Sequence, residues 1–378
     1  MARPAHGLAI GHVVLSLDVG GLERVVATLA GAQRRAGDRV SVYCLDRDGV
    51  LAATLPGAGV PVRVVHRKQR GFDAAAVLRL ARMLRADGVQ LVHCHNHGAL
   101  VYGALAARLV RGARVVYTIH GAITSARRST ARFLKLGVVQ EVVFVSAHAR
   151  SVGRAAGLVD DAHVHTIQNG VDLGACEHGD GRAVRRAHGI PEDARVCGIV
   201  ARLTEAKDHA NLFAAVAIAR ESIPSLHCLV VGDGELRDTL EREVAGRGLS
   251  AAVRFTGARD NVRDYLAAMD VFVLSSVTEG LAMTLLEAMA AARPIVATRV
   301  GGNAEAVKDG VTGVLVAPSD APALAHAIVA MLENPAAARS MGDAGRERAL
   351  REFSLDAMRA RYQAVYEAAL AVWFKKTT

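Results

Sequence analysis

Glu279 and Glu287 bracket the densest chemistry in the sequence, Glu279-Gly280-Leu281-Ala282-Met283-Thr284-Leu285-Leu286-Glu287-Ala288-Met289-Ala290. A β-branched run at 271–274 ends ahead of it, a loop with serine and threonine follows, and a helical pattern begins near Ala282. The first backbone N–H groups of a helix lack an intrahelical acceptor, so those at Ala282, Met283 and Thr284 form a natural anion site. Carboxylates beside such a site suit a ligand that joins phosphates to sugar hydroxyls. On spacing alone they also read as a helix-start charge at Glu279 and a solvated helix face at Glu287.

A second constellation is Arg202-Leu203-Thr204-Glu205-Ala206-Lys207, after a run that ends near Val200. Arginine presents a planar fork to phosphate oxygens and lysine a point charge. A surface loop with helix-start charges is the competing reading. Gly20-Gly21, Gly232-Asp233-Gly234 and Gly301-Gly302 each follow a strand pattern and precede a helix, which lets backbone approach a ligand closely. None completes G-x-G-x-x-G and no G-x-x-x-x-G-K-[ST] occurs, which argues against a nicotinamide dehydrogenase and a P-loop NTPase.

The histidines are ambiguous. His93-Cys94-His95-Asn96-His97 places three on alternate positions, so they could share a strand face, yet no carboxylate lies in that stretch to complete a metal site. His120 closes a strand pattern at 115–119 and so points from a strand end, where ligands bind. Asp46-Arg47-Asp48 is a D-x-D, short enough to arise by chance, and reads as a loop.

These residues need a scaffold that gathers strand ends. Short β-branched runs at 10–17, 40–45, 62–65, 91–93, 115–119, 142–145 and 164–167 alternate with Ala- and Leu-rich helical stretches at 22–35, 74–86, 99–110 and 147–156. After a polar, glycine-rich stretch at 169–189, taken as a hinge, a second series runs 196–200, 226–231, 253–256, 271–274, 294–297 and 314–316. Such alternation builds βαβ units and parallel sheets with helices on both faces. Two doubly wound units leave a cleft, with ligands at the carboxyl ends of the strands. Beyond Asp320 the pattern is helical, and its last segment, 354–374, is long enough to return to the first unit.

The 378 residues suit two domains, and 51% hydrophobic against 22% charged residues excludes a disordered chain. A net charge of +9 favours an anionic partner, while 4% aromatics argue against a ring platform that stacks nucleic-acid bases. Part of that charge is local: 88–140 holds no acidic residue but carries Arg108, Arg111, Arg114, Arg127, Arg128, Arg132 and Lys135. Arg63, Arg67, Lys68 and Arg70 form another cluster. These read either as solvated helix faces or as a surface for anionic lipid, where each cation contributes ~1 kcal/mol. Cys44, Cys94, Cys176, Cys197 and Cys228 have no paired spacing, as in a reducing compartment. No run reaches the ~20 apolar residues of a membrane span, and the N-terminus does not read as a signal peptide. A cytoplasmic protein, peripheral on the inner face of the plasma membrane, is expected.

Gly20-Gly21-x-Glu23, His120-Gly121, Asn169-Gly170-Val171-Asp172, the Arg202/Lys207 pair, Gly232-Asp233-Gly234 and the Glu279/Glu287 pair together resemble the retaining family 4 glycosyltransferases (glycosyl transferases group 1) of the GT-B fold. The resemblance implies an α/β chain of two Rossmann-like doubly wound domains facing across a cleft, with the C-terminal helix crossing back. It implies an acceptor-side domain at 1–175 plus 354–378 and a nucleotide-sugar domain at 176–353. Carried over by position, Arg202 and Lys207 hold the donor diphosphate and Glu287 accepts the ribose hydroxyls. Glu279 lies near the transferred sugar, and the Met283 and Thr284 N–H groups face sugar and phosphate. Gly21 closes on the phosphate, His120 approaches the sugar, and Arg259, in Gly257-Ala258-Arg259, falls near the base. His120, Glu279, Arg202 and Lys207 are the catalytic set. No metal and no cofactor are expected, the nucleotide-diphosphate sugar being a substrate. Leu281, Ala282 and Asp208 depart from the usual aromatic, Gly/Pro and Gly.

The implied reaction moves a hexose-type sugar from a nucleotide-diphosphate sugar to a glycan or lipid-linked acceptor in cell-surface polysaccharide or glycolipid synthesis. Stabilising the leaving diphosphate is the main task, which cations and helix amides perform without a metal. The competing enzyme is a non-hydrolysing nucleotide-sugar epimerase, which uses the donor without an acceptor. A non-enzymatic basic membrane- or nucleic-acid-binding protein is the third reading. The ordered strand-end motifs stand against it, so no nucleic-acid partner is expected.

Overall fold

The computed structural model describes residues 7–18, 20–68, 70–121, 128–159 and 162–374. The chain divides into two compact units, Met1–Gly170 with Leu355–Thr378, and Val171–Ser354. The division falls at 170/171 and 354/355, where the sequence suggested 175/176 and 353/354.

In the first unit seven strands form one parallel sheet: β1 (Ala9–Val14), β2 (Arg39–Cys44), β3 (Val62–Val64), β4 (Leu91–Cys94), β5 (Arg114–Ile119), β6 (Glu141–Phe144) and β7 (Val164–Thr166), in the order β3-β2-β1-β4-β5-β6-β7. Its helices are α1 (Gly21–Arg35), α2 (Ala74–Ala86), α3 (His97–Arg108), α4 (Arg128–Lys135) and α5 (Ala147–Ala155). Val, Ile and Leu recur in the central strands β1 and β4, which are buried on both faces, whereas the edge strands β3 and β7 are only partly covered. Val13, Val92, Leu80, Leu84, Leu100 and Phe144 build one core layer, and Val14, Val26, Val42 and Leu55 another.

The second unit holds α6 (Gly181–Ala187), β8 (Arg195–Val200), α7 (His209–Ser222), β9 (Leu226–Val231), α8 (Arg237–Gly246), β10 (Val253–Gly257), α9 (Val262–Ala268), β11 (Val271–Leu274), α10 (Met283–Ala290), β12 (Ile295–Thr298), α11 (Asn303–Ala306), β13 (Val314–Val316), α12 (Ala321–Glu333) and α13 (Pro335–Glu352). Its parallel sheet runs β10-β9-β8-β11-β12-β13. In each sheet the strand order reverses once, between β1 and β4 and between β8 and β11, and such switch points are where open α/β sheets take ligands.

Helix starts are set by short polar side chains. Asp73, Asn96, Ser146, Asp180, Asp208 and Asp320 each accept a hydrogen bond from the N–H three residues on. The last helix, α14 (Leu355–Phe374), belongs to the first unit and packs on α1, β5 and β6. Met358, Tyr362, Val365, Tyr366 and Ala369 recur at helical spacing and are buried there.

One expectation needs correction. The stretch 169–189 is not a loose hinge throughout, because α6 lies within it and packs on α9. A Cβ on Gly179 would overlap the Arg263 carbonyl and one on Gly181 the Ala267 backbone, so those glycines serve close packing.

Candidate active site

In the second unit the loops after β8 and β11 straddle the switch point and are stitched together. The Ser275 hydroxyl donates to the Lys207 carbonyl at 2.8 Å, and the Val277 N–H donates to the Ala206 carbonyl at 3.0 Å. Lys207, on a single 3-10 turn at Glu205–Lys207, thereby meets Glu279 in an ion pair. The Glu279 carboxylate is 9% exposed and also accepts from the Ser276 hydroxyl at 2.7 Å. The Ser276 carbonyl in turn accepts from the Thr298 hydroxyl at 2.6 Å. A buried carboxylate with one cation and one hydroxyl donor is fixed in place.

Arg202 stands just past the end of β8, and among the described residues its ionic neighbour is Glu235, 3.9 Å away, with both side chains more than 60% exposed. Such a surface pair is worth ~0–1 kcal/mol, so the guanidinium is available to an anion. Asp208 adopts the left-handed region (φ +46°) and caps α7 with its carboxylate. Glycine reaches that conformation without cost, and aspartate is among the few residues that tolerate it. The departure from glycine at this position is therefore compatible with the turn.

α10 begins at Met283 with no side-chain cap from Ala282, which leaves the first-turn N–H groups of Met283 and Thr284 to an external acceptor. Glu287 sits half-buried in the second turn. A Cβ on Gly301 (φ +48°) would overlap the Glu279 carbonyl oxygen, and one on Gly232 the Ala201 carbonyl. These glycines, read as giving room to a ligand, give room to the protein's own loops. Gly21 differs, because nothing lies within 4 Å of a Cβ built there. Arg259 follows β10, two strands from β8 in the sheet order, and its guanidinium lies 5.8 Å from the centre of the Tyr265 ring.

In the first unit His120 follows β5 and is wired into a buried histidine cluster. The His120 Nε2 lies 2.9 Å from His95 Nδ1, His95 Nε2 lies 2.8 Å from His12 Nδ1, and His12 Nε2 lies 2.7 Å from Gln33 Oε1. The Gln33 amide nitrogen donates to the Tyr366 hydroxyl at 3.0 Å. His93 spans Tyr366 at 2.8 Å and Thr118 at 2.7 Å. Burial drives these rings to the neutral form, holding His12 near pKa 4, His120 near 3, and His93 and His95 well below the usual histidine range.

His12, His93 and His95 have ligand atoms within 4.8 Å of one another. Every ring nitrogen of the three already has a hydrogen-bond partner, and a cation would have to displace those partners. The expected alternation of His93, His95 and His97 holds only in part. His97 opens α3 and bonds Thr130 at 2.7 Å, while His12 takes its place because β1 pairs with β4 in the register His12↔His93. His12 is not among the histidines that the sequence singles out by spacing.

His209 was also missed. It opens α7 fully buried beside the lysine loop, and burial, with a smaller contribution from the Lys207 charge, lowers its pKa to about 4. The D-x-D is structural, since Asp46 takes both arms of Arg67 at 2.8 and 2.9 Å and Arg47 pairs with Asp18 at 2.6 Å. In the basic clusters Arg63 and Arg67 are engaged by Asp87 and Asp46. Lys68, Arg70, Arg108 and Arg111 are exposed. Arg127 and the side chains of Arg128, Arg132 and Lys135 lie outside the described residues. All five cysteines are buried thiols, and among the described residues no helix is long and apolar enough to cross a membrane.

Comparison with known proteins adds the chemical class. The family described as "Glycosyl transferases group 1" matches residues 180–348, and "Glycosyltransferase Family 4" matches 19–175. The alpha-maltose-1-phosphate synthase of Mycolicibacterium smegmatis is 30% identical across 89% of this chain and 92% of its own length. An Escherichia coli UDP-Gal:alpha-D-GlcNAc-diphosphoundecaprenol alpha-1,3-galactosyltransferase is 27% identical across 69% of this chain and 71% of its own. Among solved structures, Anabaena HepE in complex with UDP-glucose superposes with a TM-score of 0.85 at 24% identity, over 95% of this chain and 98% of that one.

Proposed function

From the premise that this chain belongs to the group 1 glycosyl transferases of glycosyltransferase family 4, with a GT-B fold of two Rossmann-like units, we propose that it moves a hexose-type sugar from a nucleotide-diphosphate sugar to a glycan or lipid-linked acceptor. Cell-surface polysaccharide or glycolipid synthesis is the setting this reading favours. Uridine diphosphate sugars are the first donors to test, since the E. coli relative is named for UDP-Gal and HepE was solved with UDP-glucose.

The observation that carries the proposal is the stitched pair of strand-end loops, with Lys207 on Glu279, Arg202 exposed, and the uncapped start of α10 on one unit. We assign Arg202, Lys207 and the Met283 and Thr284 N–H groups to the diphosphate, Glu287 to the ribose hydroxyls, Glu279 to the sugar and Arg259 to the base. Gly21 and His120 serve from the first unit, the acceptor side. The acceptor oxygen attacks the anomeric carbon on the face from which the diphosphate leaves. The carbon–oxygen bond to the β-phosphate breaks as the acceptor proton passes to that phosphate, and configuration is retained. Growing charge on the leaving group is stabilised by Arg202, Lys207 and the helix amides, with no metal assigned.

Incubating the protein with UDP-, GDP- and ADP-sugars in a thermal-shift panel tests the donor, because a ligand that binds only the folded state raises its stability. A shift with one nucleotide class, followed by acceptor-dependent release of that nucleoside diphosphate, supports the reading. An epimerised donor formed without acceptor would replace it with the epimerase reaction.

The exposed cations Lys68, Arg70, Arg108 and Arg111 fit a second partner, the anionic membrane that would carry a lipid-linked acceptor. Sedimentation with anionic vesicles at low salt, lost at high salt, is the expected result, and no sedimentation at low salt would remove this partner.

A further inference from the structure

The buried histidine chain carries an inference that rests on the proposed role of His120 at the sugar. We propose that Gln33, His12 and His95 are positioning residues that hold His120 as the Nε2–H tautomer, with its Nδ1 lone pair presented to one hydroxyl of the sugar substrate.

Proton counting supports this assignment. Three neutral imidazoles bring three N–H groups to three hydrogen bonds: Gln33–His12, His12–His95 and His95–His120. All three links are satisfied together only when all three protons point the same way. The end of the chain fixes that way. Gln33 donates its amide nitrogen to Tyr366, so its oxygen accepts from His12 Nε2–H. His12 Nδ1 then accepts from His95 Nε2–H, and His95 Nδ1 accepts from His120 Nε2–H. His120 is left with an unprotonated Nδ1, which is buried and has no hydrogen-bond partner among the described residues.

The second branch is consistent with the same direction. Tyr366 accepts from Gln33 and donates to His93 Nδ1, and His93 Nε2–H donates to Thr118, which bonds Tyr362 at 3.2 Å. Burial keeps the rings neutral at pH 7, so one proton per ring is the operative count. An acceptor at the free end selects a ligand hydroxyl, which donates, and disfavours a second acceptor such as a phosphate oxygen. A buried acceptor left unpaired costs ~1–3 kcal/mol, and the substrate hydroxyl would relieve it.

The test reads the tautomer directly. Long-range 1H–15N correlation spectra of the imidazoles in the 15N-labelled full chain at pH 7 should show His120 protonated at Nε2 and bare at Nδ1. A His120 protonated at Nδ1, or a fast mixture of both forms, overturns the proposal. In His95→Phe, which removes both links, His120 should lose its single tautomer. There kcat should fall ~10-fold while KM for the donor stays within about twofold, by analogy with the partners that orient metal-ligating imidazoles, whose loss costs ~10–100-fold. His95→Gln, whose amide can accept from His120 and donate to His12, should restore the tautomer and most of kcat. An unchanged kcat in folded His95→Phe, or a Gln variant no better than Phe, contradicts the inference. If His95→Phe does not fold, the wild-type spectrum and His95→Gln still decide. Failure of every nucleotide sugar to react would sink the proposed transferase reaction and leave the tautomer result standing.

Discussion

Lys207 and His12 show how much depends on single side chains. Lys207 meets a nearly buried carboxylate, so Lys207→Ala removes the proposed diphosphate ligand and leaves the Ser276 hydroxyl as the side-chain partner of Glu279 among the described residues. Loss of one preorganised donor to developing charge costs ~10²–10³-fold in kcat, and steady-state transfer assays should show a loss of that order. His12 makes the opposite kind of contribution. Its folded pKa, about 4, lies below the ordinary 6.5. The unfolded chain therefore takes up the proton first as pH falls. The stability present above pH 6.5 is lost between there and about pH 4, by ~3 kcal/mol from this ring alone. Urea denaturation between pH 7.5 and 4.5 should show stability falling with acid, and less steeply in His12→Phe. An identical slope in the two proteins would contradict this account of the buried ring.

Element packing separates two kinds of glycine that look alike in the sequence. Gly301 has φ +48°, and a Cβ there would overlap the Glu279 carbonyl, so Gly301→Ala should destabilise by more than ~1 kcal/mol and disturb the Glu279 loop. Gly21 opens α1 with nothing within 4 Å of a Cβ, so Gly21→Ala should melt within a degree or two of wild type or slightly above. A fall in donor turnover by folded Gly21→Ala then reports contact with ligand, whereas unchanged turnover would remove Gly21 from the site. Thermal melts and donor kinetics on both variants check the pair. The strands themselves were legible, because each β-branched run is short, apolar and flanked by helical pattern. The strand-end motifs were legible for the same reason. His12 was not, since its meeting with His93 depends on β1 pairing with β4 across two intervening strands and two helices. The packing role of Gly301 and Gly232 was hidden too, because the backbone each one passes comes from another loop.

At the scale of the molecule, the chain order and the two units do not coincide. Residues 171–354 complete their own sheet and core, whereas 1–170 lack the helix that covers one face. Tyr362 and Tyr366 lie fully buried on that helix and supply hydroxyls to Thr118, Gln33 and His93. Burial of each such ring is worth ~1.5–3 kcal/mol, so a 1–170 fragment should not melt cooperatively by circular dichroism. Joining 355–374 to it should restore a transition, and 171–354 should fold by itself. A cooperative melt of 1–170 alone would contradict the assignment of α14 to that unit. The return of the chain was readable from the length of the last segment, but its tyrosine contacts to the histidine cluster were not. The central claim is that the second unit holds the diphosphate of a nucleotide-sugar donor on Lys207. Calorimetric titration of the full chain with UDP, set against Lys207→Ala shown by its melt to be folded, tests it most directly. The account predicts saturable UDP binding weakened ~10-fold or more in the variant, in line with ~1.5–3 kcal/mol for a charge-assisted bond. Equal affinity in the two proteins would contradict it.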